Sequence, residues 1–165
     1  MKTVATDIVD EVRDRLLGLE CWYASAGGSH VGGSFSLALG DRVPREVPLA
    51  NTAHSDEYRK YEGEANLLVW CTWRLDSQSG PLSSSDDAQS GIQSALSRLV
   101  GAKVVDVAIA RPGWDLRLVF APFHSMQIFC DHVPGDPSFD GNWELHAASQ
   151  AYYFGPGAKL EIESR

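Results

Sequence analysis

Hydrophobic residues recur at every fourth position near the start of the chain. Val4, Ile8, Val12 and Leu16 fall on one face, with Ala5 and Val9 beside them. That spacing is the period of an amphipathic helix and predicts one over Val4–Leu17. Glu11 and Arg15 stand four apart on the polar side, where opposite charges attract. Gly18 is a natural stop, because glycine readily takes the left-handed conformation that ends helices. From Cys21 the period shortens to two. Cys21–Ala26 and Ser34–Gly40, the latter with Phe35, Leu37 and Leu39 alternating, read as strands. Between them lies Gly27-Gly28-Ser29-His30-Val31-Gly32-Gly33, a glycine-rich link. Residues 41–63 carry Pro44, Pro48, Asn51 and a charged cluster with little periodicity. They predict a long loop with room for a short helix near Ser55–Tyr61, and long loops in compact domains are often functional.

Glu64–Leu75 is the strongest strand pattern. Leu67, Val69, Cys71, Trp73 and Leu75 alternate with Leu68, Trp70, Thr72 and Arg74, so both faces begin apolar. This predicts a central strand covered on both sides near its beginning. Asp76–Ser83 reads as a Ser/Gly/Pro loop, and Ser84-Ser85-Asp86-Asp87 as a capping box with Ser84 as N-cap. A stripe of Ile92, Leu96, Leu99 and Val100 follows, ended by Gly101. Lys103–Ala110 returns to strand, and Arg111-Pro112-Gly113 makes a turn. Asp115–Phe120, Ser125–Asp131, Asn142–Ala147, Tyr152–Phe154 and Lys159–Glu163 then succeed one another with turn residues between them, which reads as an antiparallel meander. The expected class is α+β: a mostly antiparallel sheet of about seven or eight strands, an N-terminal helix and a second helix near 86–100.

The length of 165 residues fits one domain spanning 1–165. The formal charge of −8 argues against nucleic acid, whose binders supply cations to displace phosphate counterions. It argues equally against an anionic membrane surface. It suits a basic protein partner, attracted at long range. No apolar run approaches the length of a membrane span, and the N-terminal segment, with its alternating charges, does not read as a signal peptide. Cys21, Cys71 and Cys130 are widely spaced and odd in number. Cys71 and Cys130 fall inside apolar strand patterns, so buried free thiols and a reducing cytoplasm are expected.

Motifs that carry chemistry are weak. Gly27–Gly33 has no following Lys and lies between strands, where a phosphate loop needs a helix behind it. Cys130-Asp131-His132 places a thiol and an imidazole on one strand face, but Cys130 continues the core alternation of Met126 and Ile128. His30, His54, His124, His132 and His146 form no zinc spacing. Asp136–Asn142 lacks the calcium-loop rhythm and reads as a turn. The reading is therefore non-enzymatic, with no catalytic group, no metal and no cofactor expected. Asp56, Glu57, Tyr58, Tyr61, Glu62 and Glu64 form an acidic, tyrosine-bearing patch suited to a basic partner surface. Trp70, Trp73 and Trp143 are candidates for a pocket wall between sheet and helices.

The order of Trp73–Leu75, a Ser-rich loop, a helix ending LVGAKVVDV at Leu99–Val107, then DLRLVF, SMQIFCD and NWEL resembles a group of small uncharacterised bacterial domains. Some of these resemble immunity proteins of bacterial toxin systems. The likeness covers about residues 67–165, rests on structural positions and brings no catalytic residues. It implies an immunity-type inhibitor that occludes a basic toxin. A small-ligand binder or enzyme with a sheet–helix pocket is the second expectation. An oligomerisation module with an exposed Trp-rich face as its homodimer contact is the third.

Overall fold

The two-residue alternation runs through most of the chain, but the strands it builds divide between two sheets. The computed structural model describes residues 4–27, 33–135 and 141–165, with side chains from Ile8 onward. His30 with the rest of residues 28–32, and the Asp136–Asp140 part of the expected turn, lie outside the described residues. In chain order the elements are α1 (Val4–Leu16), β1 (Cys21–Ala26), β2 (Phe35–Pro44), α2 (Asp56–Lys60), β3 (Tyr61–Val69), β4 (Thr72–Ser77) and β5 (Gly80–Ser84). There follow α3 (Gln89–Leu96), β6 (Val104–Ala110), β7 (Asp115–Phe120), β8 (His124–Phe129), β9 (Trp143–Ala147), β10 (Gln150–Gly155) and β11 (Lys159–Ser164). One sheet has six strands in the order β1-β2-β3-β9-β10-β11, and the other five in the order β5-β4-β8-β7-β6. Every pairing is antiparallel. The α+β, mostly antiparallel class therefore holds, with eleven strands among the described residues in place of seven or eight.

The single long strand expected over Glu64–Leu75 is two strands in two sheets. The chain bends at Trp70–Cys71 and passes from β3 to β4, and the backbone N–H groups of both bend residues donate to the Asn142 carbonyl, at 2.9 and 3.2 Å. Leu67, Val69, Cys71, Trp73 and Leu75 nevertheless all point into the same core. Both sheets turn an inner face to one shared interior, so the alternation keeps its phase through the bend and hides it. The expected C-terminal meander is divided for a related reason. β6, β7 and β8 are hairpin neighbours in one sheet, while β9, β10 and β11 belong to the other.

Three smaller expectations change. Asp76–Ser83 is mostly a hairpin whose second strand, β5, lies at a sheet edge, where Pro81 costs no ladder hydrogen bond. The capping box does not form: Ser84 belongs to β5, its hydroxyl accepts from Asp86 N–H at 3.2 Å, and α3 starts later with Ala88 as an N-cap that makes no side-chain bond. The loop at 41–63 shrinks from both ends, since β2 runs to Pro44 and β3 begins at Tyr61, but its short helix is present as α2.

The helices do not cover a sheet face; they close the sandwich. Ile8, Val12 and Leu16 of α1 are buried, as are Ile92, Ala95 and Leu96 of α3, and all join the one core with both sheets. Each large apolar side chain so buried contributes about 1.5–3 kcal/mol. Gly18, at φ +85°, turns the chain out of α1 as expected. It then meets the start of β6: Gly18 N–H bonds Val104 O at 2.8 Å, Cys21 N–H bonds Ala102 O at 2.9 Å, and a bridge pairs Glu20 with Lys103. The outer face of the six-stranded sheet is left for other cover.

Candidate functional site

Strand alternation decides what that outer face displays. Cross-strand pairing lines up Ser25 with Ser36, Ser36 with Leu68, Leu68 with Glu144, and Glu144 with Tyr153, one from each of five neighbouring strands. Trp70 stands two residues beyond Leu68, where β3 has ended. Residues 45–60 fold back over part of this face. Arg45 N–H bonds Lys60 O, and Leu49 N–H bonds Arg59 O, both at 2.9 Å. The Ser55 hydroxyl caps α2 by accepting from Tyr58 N–H at 3.2 Å. This returns Tyr58 to the sheet, where its ring stacks on Tyr23 at 4.1 Å between centroids, nearly parallel at 12°. His54 Nδ1 lies 2.9 Å from the Tyr23 hydroxyl. The Arg45 guanidinium covers the Tyr58 ring at 4.7 Å, and that of Arg42 covers Trp22 at 4.6 Å.

Between this flap and the sheet run two adjoining hollows, of about 380 and 450 Å³. They share Leu68 and Trp70. The first is neutral and hydrogen-bonding, with Ser36, Asn51, His54 and Gln89 on its walls. The second carries charge of both signs, from Arg45, Glu62, Glu144 and Arg165. Trp70 is half-buried at the junction. Among the described residues its ring stacks on no other ring, and its indole N–H has no hydrogen-bond partner. Among the described residues the Trp22 indole N–H also has no partner, but its ring lies against Tyr23, Tyr58 and the Arg42 guanidinium, and the remaining three indoles are hydrogen-bonded. Trp73 donates to Gly33 O, Trp114 to Ala158 O at 3.0 Å, and Trp143 to Trp114 O at 3.0 Å.

The chain matches no family model, and neither a curated protein nor a solved structure matches it.

Of the residues selected from sequence, Trp70, Tyr58 and Glu62 meet in the groove. Trp73 and Trp143 do not line it: both are fully buried between the sheets, Trp73 edge-on to Phe35 and Trp143 stacked on Phe154. With Trp114 also buried, Trp73, Trp114 and Trp143 cannot belong to the Trp-rich face expected above, and only Trp22 and Trp70 are half-buried. The acidic patch is largely answered by arginine. Asp56 pairs with Arg59 at 3.7 Å, Glu57 with Arg42, and Glu62 lies between Arg45 at 3.6 Å and Arg165 at 3.4 Å. Glu64 accepts from Asp41 N–H at 2.8 Å, and Tyr61 is exposed and does not line the groove. Sequence reasoning missed Tyr23, His54, Arg45, Glu144, His146 and Arg165. Tyr23 was hidden by the irregularity between Cys21 and Tyr23, which reverses the alternation that would otherwise put it on the Cys21 side; Arg165 had no local signal at all.

Cys130, Asp131 and His132 do not form a reactive grouping. The Cys130 thiol lies 3.2 Å from Trp114 O, Asp131 is bound by the N–H and hydroxyl of Thr72, and His132 Nδ1 lies 2.9 Å from Gly141 O. Among the described residues no three His, Cys, Asp or Glu side chains assemble as a metal site, and no helix is long and apolar enough to cross a membrane.

Burial, reinforced by the nearby Arg45 cation, holds His54 below the ordinary imidazole value of 6.5. The fold thus favours neutral His54. Its contribution to stability is present in full above pH 6.5 and is lost as pH falls through the lowered native value. Proton NMR of the His54 ring should show a midpoint below 6.5, and Arg45→Ala should raise it; a midpoint above 6.5 would contradict the flap's closeness to the sheet.

Proposed function

We propose that this chain is a non-catalytic binding protein that recognises a protein partner through the groove between its six-stranded sheet and the 45–60 flap. The observation that carries this reading is the unpartnered Trp70 at the meeting of two hollows. Half-buried, Trp70 offers a ring face and an indole N–H that no other ring or acceptor among the described residues engages, an apolar body with a polar tip of the kind enriched at interfaces. The surroundings agree: Trp, Tyr and Arg are the residues that dominate binding energy at interfaces, and Tyr23, Tyr58, Arg45 and Arg165 all gather there. The net charge of −8 favours approach of a basic partner. Because Asp56, Glu57 and Glu62 are paired with arginines, their role is to hold the flap and rim the site more than to steer. An immunity-type inhibitor acting on a basic toxin in the cytoplasm fits this surface and the resemblance noted above.

The test is Trp70→Ala, compared with the parent for a partner captured from the native host. Truncating an interface anchor costs about 2 kcal/mol or more, roughly a thirty-fold weaker Kd. Folding stability should change by less than about 1 kcal/mol, since the ring is only half-buried. Equal affinity for parent and variant would remove the groove from the interface.

A second reading has its own support. The neutral hollow beside His54, with hydroxyl and amide walls and a volume of about 380 Å³, is of the size that small ligands occupy. Saturation of the site by a small polar molecule from a host extract, without any protein partner, would favour it.

A further inference from the structure

We propose that Cys71 and Cys130 form a redox modification site, a thiol pair that a small disulfide such as oxidised glutathione converts into an internal disulfide bond. The inference stands on strand register and does not depend on the groove. β4 and β8 pair antiparallel, with Trp73 opposite Ile128 and Thr72 opposite Phe129. Cys71 and Cys130 lie one residue beyond the last of these pairs, and continuing the register sets them opposite each other. Alternation points both inward: Cys71 follows the side of Trp73 and Leu75, and Cys130 the side of Met126 and Ile128. The residues next to them, Thr72 and Asp131, are hydrogen-bonded to each other through the Thr72 N–H and hydroxyl, which holds the two strand ends together at this point. Cross-strand neighbours have Cα atoms about 4.5–5.5 Å apart, inside the range of about 4.4–6.8 Å that a disulfide spans. The third cysteine supplies a contrast. Cys21 is buried on β1 in the other sheet, and its thiol is directed at Tyr23 O.

Exposure sets the order of events. Cys130 is half-buried and Cys71 almost wholly enclosed, so the incoming disulfide meets Cys130 first. The Cys130 thiolate attacks one glutathione sulfur, the glutathione S–S bond breaks, and one glutathione thiol leaves with a proton. Cys71 then loses its proton and attacks the Cys130 sulfur, expelling the second glutathione thiol. Two electrons and two protons pass from the pair to one glutathione disulfide. The contact with Cys130, then burial, pushes the Cys71 thiol far above the usual thiol range, so oxidation is slow near neutrality and speeds up as pH rises. The bond would tie together the two places where the chain changes sheets, because Cys71 closes the first crossing and Cys130 opens the second.

The test uses the whole chain, incubated with excess oxidised glutathione at alkaline pH, quenched by alkylation and measured by intact mass and peptide mapping. The expected result is loss of two hydrogens, a peptide cross-link between Cys71 and Cys130, and a fall from three free thiols to one, Cys21. Dithiothreitol should reverse it, and the oxidised form should melt higher than the reduced one. Cys21→Ser should oxidise like the parent. A lasting glutathione adduct on Cys130, a cross-link that includes Cys21, or three thiols still free after prolonged treatment would overturn the proposal.

Discussion

Trp143→Ala is expected to lower folding stability by about 3–5 kcal/mol, the range for truncating a large aromatic in a packed core. The ring has no exposed surface, stacks on Phe154 at 3.8 Å between centroids, and sits across from Val69 in the strand ladder. Truncation would empty the space between the two sheets at the point where β9 enters the interior. It would also take the indole N–H from the Trp114 carbonyl, a bond of 3.0 Å inside the protein. Domains of this kind hold only about 5–15 kcal/mol in total, so the variant should retain little margin at 37 °C. Urea unfolding followed by far-ultraviolet circular dichroism would measure it, since the variant loses part of its tryptophan signal. Trp143→Phe separates the two losses. It keeps a ring against Phe154 but gives up the hydrogen bond, and about 1–2 kcal/mol is expected. A cost below 1 kcal/mol for the alanine variant would mean that the stacked pair does not anchor the sandwich.

The contrast between Trp143 and Trp70 marks what the sequence could reveal. Element positions followed from the alternation wherever turn residues flanked it: Cys21–Ala26 and Asp115–Phe120 fall where the pattern puts them. The division into two sheets left no trace, because a strand that bends from one sheet to another around a shared core keeps its inward phase. β5 was hidden by composition, as Gly, Pro and Ser signal a loop even where edge pairing tolerates them. For the site, the pattern held more than was drawn from it. Trp73 is in phase with Leu67 and Val69 and belongs to the core, whereas Trp70 is in phase with Leu68 and points outward. Grouping Trp70, Trp73 and Trp143 by size alone blurred that distinction. The pairing of Asp56, Glu57 and Glu62 with arginines was partly local and partly not. Arg59 is three residues from Asp56, but Arg165 reaches Glu62 from the far end of the chain, and no linear reading of charge contains that contact.

Asn142→Ala is the second substitution expected to matter greatly, at about 2–4 kcal/mol, although it removes only a small polar side chain. Asn142 is 1% exposed and stands where both chain crossings converge. Its backbone carbonyl receives the N–H groups of Trp70 and Cys71, and its own N–H reaches Phe154 O at 2.8 Å. The carboxamide fixes this geometry from the other side: its oxygen accepts from His132 N–H at 3.2 Å and its nitrogen donates to Gly155 O at 3.1 Å. Alanine keeps the backbone bonds but removes the carboxamide's hydrogen bonds to the His132 N–H and the Gly155 carbonyl, and losing such a bond from a buried side chain costs about 1–3 kcal/mol when water cannot replace it. Both residues are partly exposed, which holds the sum below the full penalty. Loss of the carboxamide should also loosen the Trp70–Cys71 bend, so the amides of those two residues should exchange hydrogen faster than in the parent. Asn142→Asp adds a check of sign. The carboxylate keeps the acceptor for His132 but sets a buried charge against the Gly155 carbonyl, which disfavours ionisation. Its deficit should therefore shrink as pH falls and the protonated acid regains a donor, the reverse of ordinary acid destabilisation. An alanine variant as stable as the parent, with unchanged exchange at Trp70 and Cys71, would show that core packing alone holds the two crossings in place.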